Sequence, residues 1–132
     1  MAKILLVDDE FAVRELLAEV LEIDAHVVTQ ADDGASAIAA VERELFDLVV
    51  TDLVMPDKEG IETIMEIRQR WPALKIIAMS GGGRGDAADY LDMAASLGAA
   101  ATLQKPFSSQ LLLDTVAQVL ATPPADSPSS PR

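Results

Sequence analysis

The chain has 132 residues, half of them hydrophobic, no cysteine, and a formal net charge of −12 at pH 7. That length favours one domain with a core of its own, and no apolar run approaches the roughly 20 residues a membrane-spanning helix needs. The missing cysteine excludes disulfide frameworks, thiolate metal sites and cysteine nucleophiles, while the acidity argues against binding nucleic acid or an anionic membrane, which both rely on Lys and Arg.

Met1-Ala2-Lys3 leads directly into apolar residues without a signal-peptide pattern, so export by that route is not expected, and the cysteine-free composition suits a reducing cytoplasm. Lys3-Ile4-Leu5-Leu6-Val7 predicts a first strand that stops at three acids, Asp8-Asp9-Glu10. Phe11, Val13, Leu16, Leu17, Val20 and Leu21 then recur at helical spacing with charged residues between them, which predicts an amphipathic helix. The acids have two readings: helix cap and first-turn charge, or a functional cluster, since two adjacent acids at the end of a buried strand exceed what capping needs.

His26 to Gln30 predicts the second strand, with His26, the only histidine, at its exposed entrance and no second histidine or cysteine to make a metal site with it. Asp33-Gly34 signals a helix start, and Ala37, Ile38 and Val41 mark the helix between Ala35 and Leu45. Phe46 to Met55 holds an apolar run, rich in β-branched residues, that ends abruptly at Asp52 and is followed by Pro56. Such a run predicts a strand buried on both faces, and Asp52 either opens the loop or faces a ligand outside the strand's carboxyl end.

After the loop Asp57-Lys58-Glu59-Gly60, the residues Ile61, Ile64, Met65 and Ile67 predict a helix closed by Trp71-Pro72. Lys75 to Met79 predicts the fourth strand, ending at Ser80. The run Gly81-Gly82-Gly83-Arg84-Gly85 lacks the Lys-Ser/Thr of a phosphate loop and does not follow the first strand, so it reads as a connection whose backbone can approach an anion closely. A helix over 86–97 stops at Gly98, and Ala100 to Gln104 predicts the fifth strand, delivering Lys105-Pro106-Phe107. Leu111, Leu112, Leu113, Val116, Val119 and Leu120 make a last helix opened by Ser108-Ser109. Residues 1–121 are thus read as the folded domain, and 122–132, rich in Pro and Ser, as a disordered tail or the stub of a linker.

Alternating strands and helices predict a doubly wound α/β fold with a five-stranded parallel sheet. Four of its five strands then end in chemistry on one rim: Asp8-Asp9, Asp52, Ser80 and Lys105. Only the second strand, expected at an edge, offers nothing comparable. In the order 2-1-3-4-5 the first and third strands are neighbours and their three carboxylates converge. Such a group calls for a cation, and an all-oxygen site suits magnesium better than a transition metal. A carboxylate nucleophile, a metal, a hydroxyl and an ammonium together form the equipment for accepting a phosphoryl group.

These ordered signals (Asp8-Asp9, Asp52 with Met55-Pro56 and Gly60, Ser80, and Lys105-Pro106-Phe107) resemble the receiver domain of two-component response regulators, over about residues 3–120. The resemblance implies the flavodoxin-like fold and a switch that is not an enzyme beyond self-phosphorylation and self-dephosphorylation. It implies Asp52 as phosphoacceptor, and a magnesium site made by Asp9 directly, Asp8 largely through water, Asp52 and the Val54 carbonyl. Ser80 and Lys105 would bind the phosphoryl oxygens, with Lys105-Pro106 in the cis form. The implied donor is a phosphohistidine on a sensor histidine kinase or a histidine phosphotransfer protein.

Two features depart from the family pattern. Thr102 stands where relatives carry an aromatic switch residue, and Ala100-Ala101 where one subfamily carries an acidic pair used in dimer salt bridges. The expected state is therefore monomeric or weakly dimeric, with conformational change concentrated around Ser80 and the helix that follows it. The rival readings are an aspartyl-phosphate phosphatase or mutase, which needs a second Asp where this chain has Val54, and a flavin carrier, for which only Tyr90 and Trp71 could flank a ring.

Overall fold

A computed structural model describes residues 2–53, 60–80, 92 and 95–122. Its strands are β1 (Lys3–Val7), β2 (Val27–Ala31), β3 (Leu48–Asp52), β4 (Lys75–Ser80) and β5 (Ala101–Gln104), and its fully described helices are α1 (Phe11–Ile23), α2 (Gly34–Arg43), α3 (Gly60–Arg70) and α4 (Ser109–Ala121). The strands form one sheet in the order β2-β1-β3-β4-β5, every pair parallel. Of the helix expected over 86–97, Asp92, Ala95 and Ser96 are helical. Gly98 follows at φ 106°, where a left-handed helix stop favours glycine.

The central strands are apolar through their middle because both faces are covered. Leu5, Val7, Val49, Ile76 and Ala78 pack with α2 and α3 on one side; Ile4, Leu6, Leu48, Val50, Ile77, Met79 and Leu103 pack with α1 and α4 on the other. Residues on one strand alternate between the two layers, as the period of two requires. Each fully buried Leu or Ile contributes about 1.5–3 kcal/mol of transfer free energy, so the two layers fix the register of every strand. That register decides where the polar residues just beyond the strand ends emerge. Asp52 has the parity of Leu48 and Val50, and so belongs to the α1/α4 side.

Helix ends follow their local chemistry. Asp33 caps α2 by accepting the Ser36 amide at 2.8 Å, a bond that holds its carboxyl below the ordinary carboxylate range. Ser108 caps α4 through the Leu111 amide, and Lys75 donates to the Leu120 and Thr122 carbonyls at the other end of that helix. His26 is not the exposed residue expected: its side chain is 9% exposed, and Nδ1 accepts the Ala2 amide.

Helix α1 closes in a Schellman motif, with the Ala25 amide on the Glu22 carbonyl and the His26 amide on the Leu21 carbonyl. The residue in the left-handed position is Ala25, at φ 71°. A Cβ there is strained, so Ala25→Gly should raise stability by about 0.5–1 kcal/mol after allowing for the added freedom of the unfolded chain. The midpoint of urea unfolding should shift upward with an unchanged m-value; an equal or lower midpoint contradicts the strain.

Candidate functional site

The carboxyl ends of the strands gather the polar residues that the core excludes. Asp8 leaves β1, Asp52 ends β3, Ser80 ends β4 and Lys105 follows β5. Since β1 and β3 are hydrogen-bonded neighbours, Asp8, Asp9 and Asp52 come together, and one carboxylate oxygen from each lies within 4.8 Å of the others. The adjacency rests on the strand order; the sequence separation of the residues is more than forty.

The three carboxylates differ in their surroundings. Asp8 is fully buried and both oxygens are engaged, Oδ1 by the Glu10 amide at 2.9 Å and Oδ2 by Lys105 Nζ at 2.9 Å. Asp52 is mostly buried and its Oδ2 accepts a second bond from Lys105 Nζ at 3.3 Å. Asp9 is exposed. Helix α1 has Glu10 at its N-cap position, with no hydrogen bond from the Glu10 side chain and no acid in the first turn. Of the three acids only Asp8 serves the helix start, through the Glu10 amide, and its other oxygen is turned to Lys105.

Lys105 bridges Asp8 and Asp52 as an ammonium. Burial works against its charge, yet the hydrogen bond to Asp8 and the charges of Asp52 and Asp8 together outweigh that cost and hold its pKa above the ordinary lysine value. One ammonium between two of three carboxylates leaves the cluster short of positive charge. The donors are all hard oxygens, Asp9 faces solvent, and the spacing suits a small divalent cation with water completing its coordination.

Ser80 is 2% exposed, and its parity is that of Ala78, toward α2 and α3. Its carbonyl accepts the Lys105 amide at 2.7 Å, which ties the ends of β4 and β5 together next to the acids. The Lys105–Pro106 peptide is cis. Thr102 is half-buried and pairs in register with Ala78, two residues before Ser80. Val54, Met55-Pro56 and the run Gly81 to Gly85 lie outside the described residues.

Gly60 carries more than its place in the loop suggested. Its amide donates to the Leu53 carbonyl at 3.0 Å, and a Cβ built on it would lie 2.2 Å from the Asp52 carbonyl oxygen and 2.4 Å from Leu53 Cα. Only a residue without a side chain lets α3 start against the end of β3. Two further residues emerge that the strand-end pattern did not single out, Arg14 and Gln30. Arg14 Nη1 donates to the Asp8 carbonyl at 2.6 Å and Nε to Gln30 Oε1 at 2.9 Å, so the edge strand does reach the site, through a side chain of α1. Arg14 follows Glu10 by four residues, one helical turn into α1, and that spacing was the available signal.

Comparison with known proteins gives a consistent result. The family profile described as response regulator receiver domain matches residues 4–117. The response regulator protein FleR of Pseudomonas aeruginosa is 38% identical over 89% of this chain, which spans 24% of that longer protein. The chemotaxis protein CheY of Halobacterium salinarum is 34% identical over 91% of this chain and 98% of its own length. The crystal structure of the receiver domain of NtrX from Brucella abortus superposes with a TM-score of 0.85 at 30% identity, covering 90% of this chain and 98% of that one.

Replacing Gly60 tests the close approach at the end of β3. The obstacle to a methyl group is backbone, so Gly60→Ala should destabilise the fold by at least about 1–3 kcal/mol, the usual range for forcing extra volume into a packed site. Urea unfolding measures it, and a loss below a few tenths of a kcal/mol would show that the β3–α3 junction yields freely.

Proposed function

Because the chain belongs to the family of response regulator receiver domains, a class of regulatory switches in two-component signalling, we propose that it works by accepting a phosphoryl group on Asp52. The observation that carries this reading is the convergence of Asp8, Asp9 and Asp52 with Lys105 bridging two of them, at the carboxyl end of a parallel sheet. Each residue has a task set by its surroundings. Asp52, at the mouth of the rim, supplies the nucleophilic oxygen: it forms a bond to phosphorus as the phosphorus–nitrogen bond of a phosphohistidine breaks, and the leaving imidazole keeps the electron pair and takes up a proton.

Lys105 already lies on Asp52 and would pair with the phosphoryl oxygens, while the Ser80 hydroxyl donates a further hydrogen bond once anionic oxygens arrive. Asp8, Asp9, Asp52 and the Val54 carbonyl would hold a magnesium ion, which would supply neutralisation of the incoming negative charge. Asp9, exposed, is suited to direct ligation. Asp8, saturated by Glu10 and Lys105, is suited to contact through water.

The donor is a sensor histidine kinase or histidine phosphotransfer protein, and the setting is cytoplasmic. No helix among the described residues is long and apolar enough to cross a membrane. Self-phosphorylation from small donors and self-dephosphorylation belong to the same reading, as does a monomeric or weakly dimeric state without direct nucleic-acid binding. Residues 1–121 form the receiver, with 122–132 as tail or linker stub. Signalling would pass from Ser80 into the glycine run and the helix after it, because Thr102 is too small to relay it as a ring would.

Incubation with acetyl phosphate and magnesium should add one phosphoryl group, and peptide mapping should place it on Asp52. Asp52→Asn should abolish the added mass while keeping the unfolding transition intact; phosphorylation at another residue overturns the assignment. Magnesium alone should also stabilise the protein, by about 1.4 kcal/mol at ten times its Kd, because it relieves repulsion present only in the folded state. Asp9→Ala should lose most of that gain, and a melting temperature indifferent to millimolar magnesium in the parent protein rules the metal site out.

A further inference from the structure

The side chain of Asp8 is pinned at both oxygens, but Asp9, the acid that faces solvent, makes no hydrogen bond or ion pair among the described residues. Its carboxylate is therefore placed by the backbone that carries it, which sets the Cα and Cβ about which the side chain rotates. The Asp8–Asp9 peptide is planar, so fixing the Asp8 carbonyl fixes the plane and with it the Cα from which the Asp9 side chain departs. Arg14 holds that carbonyl, at 2.6 Å from Nη1.

The guanidinium is itself held in place. Its Nε donates to Gln30 Oε1 on β2 at 2.9 Å, and its carbon lies 5.4 Å from the centre of the Phe11 ring. Beside it, the Asp8 amide donates to the Ala31 carbonyl at 3.2 Å, so both polar groups of the Asp8 backbone are tied toward β2. Arginine's rigid fork is what lets one side chain meet two acceptors, one on β2 and one just beyond β1; a lysine ammonium is a single point of attachment.

We propose that Arg14 is a positioning residue for the acidic rim: through the Asp8 carbonyl it orients the Asp9 carboxylate into the cluster and so raises the site's affinity for magnesium. This rests on the reading of the cluster as a magnesium site. The proposal has a distinctive sign. A guanidinium beside a cation site repels the cation, so if charge were all that Arg14 contributed, removing it would tighten magnesium binding. Positioning predicts the reverse.

Calorimetric titration with magnesium chloride at fixed pH and ionic strength, on the full chain, separates the two. Arg14→Ala should weaken magnesium binding about tenfold, the lower range seen when a group orienting a ligand is removed. Arg14→Lys, which keeps the charge and loses the fork, should recover little of it. Gln30→Ala frees one end of the clamp and should weaken binding less, in the same direction. Unchanged or tighter binding in Arg14→Ala overturns the proposal, as does full recovery in Arg14→Lys.

A second readout needs no metal. In magnesium-free protein, amide exchange at Asp9 and Glu10 should quicken in Arg14→Ala and in Gln30→Ala relative to the amides of β1, whereas a merely stabilising role would speed all of them together. If Arg14→Ala does not fold, Gln30→Ala decides by both measurements, and no change in either overturns the clamp. If the parent protein binds no magnesium, the metal reading fails, and the exchange pattern still decides whether Arg14 orders the Asp8–Asp9 backbone.

Discussion

Three carboxylates gathered within 4.8 Å are the constraint on which the rest of this structure depends. Like charges at that range repel, and the fold tolerates them because Lys105 lies between two and the third faces solvent. The ammonium is a partial answer, since it engages two of the three carboxylates. The negative charge left over is what the proposed cation would neutralise, and the ammonium on Asp52 is the partner the proposed phosphoryl oxygens would share.

Holding that arrangement is the task of an otherwise apolar sheet. The rows that end in Asp8, Asp52 and Lys105 are the rows of Leu6, of Leu48 and Val50, and of Leu103, all on the side covered by α1 and α4. A slip of one residue in a central strand would turn these polar ends to the other face and exchange its two apolar rows between layers shaped for different side chains, so core packing and site geometry are enforced by the same burial. Gly60 extends this economy to the loop side, where the backbone of α3 rests against the Asp52 carbonyl.

The surroundings of the site are graded. Asp8 is sealed and saturated, Asp52 is mostly buried at the mouth, and Asp9 is open to solvent. Those differences, in residues of one chemical type, underlie the proposed division into anchor, nucleophile and metal-facing ligand. Around them stand groups that hold the cluster in place: the Glu10 amide on Asp8, the Ser80 carbonyl on the Lys105 amide, and Arg14 spanning to Gln30.

The sequence by itself determined the β/α alternation, the parallel sheet and the polar strand ends, because a strand buried on both faces must be a continuous apolar run and anything charged must wait until it leaves the core. Asp8, Asp9, Asp52, Ser80 and Lys105 were legible on that ground, and their ordered spacing carried the family resemblance. It left open whether the first acids cap a helix, since an acid beside a helix start serves either purpose. The tertiary structure shows both engagements of Asp8, one oxygen on the Glu10 amide at the helix start and the other under Lys105, 97 residues away. The contacts of Arg14, Gln30 and Gly60 likewise appear only in three dimensions: a helical arginine reads as surface, an edge-strand glutamine as solvent-facing, and a loop glycine as a turn. What sets each apart is a partner distant in sequence or a backbone approach too close for a Cβ, and neither leaves a periodic trace in the chain.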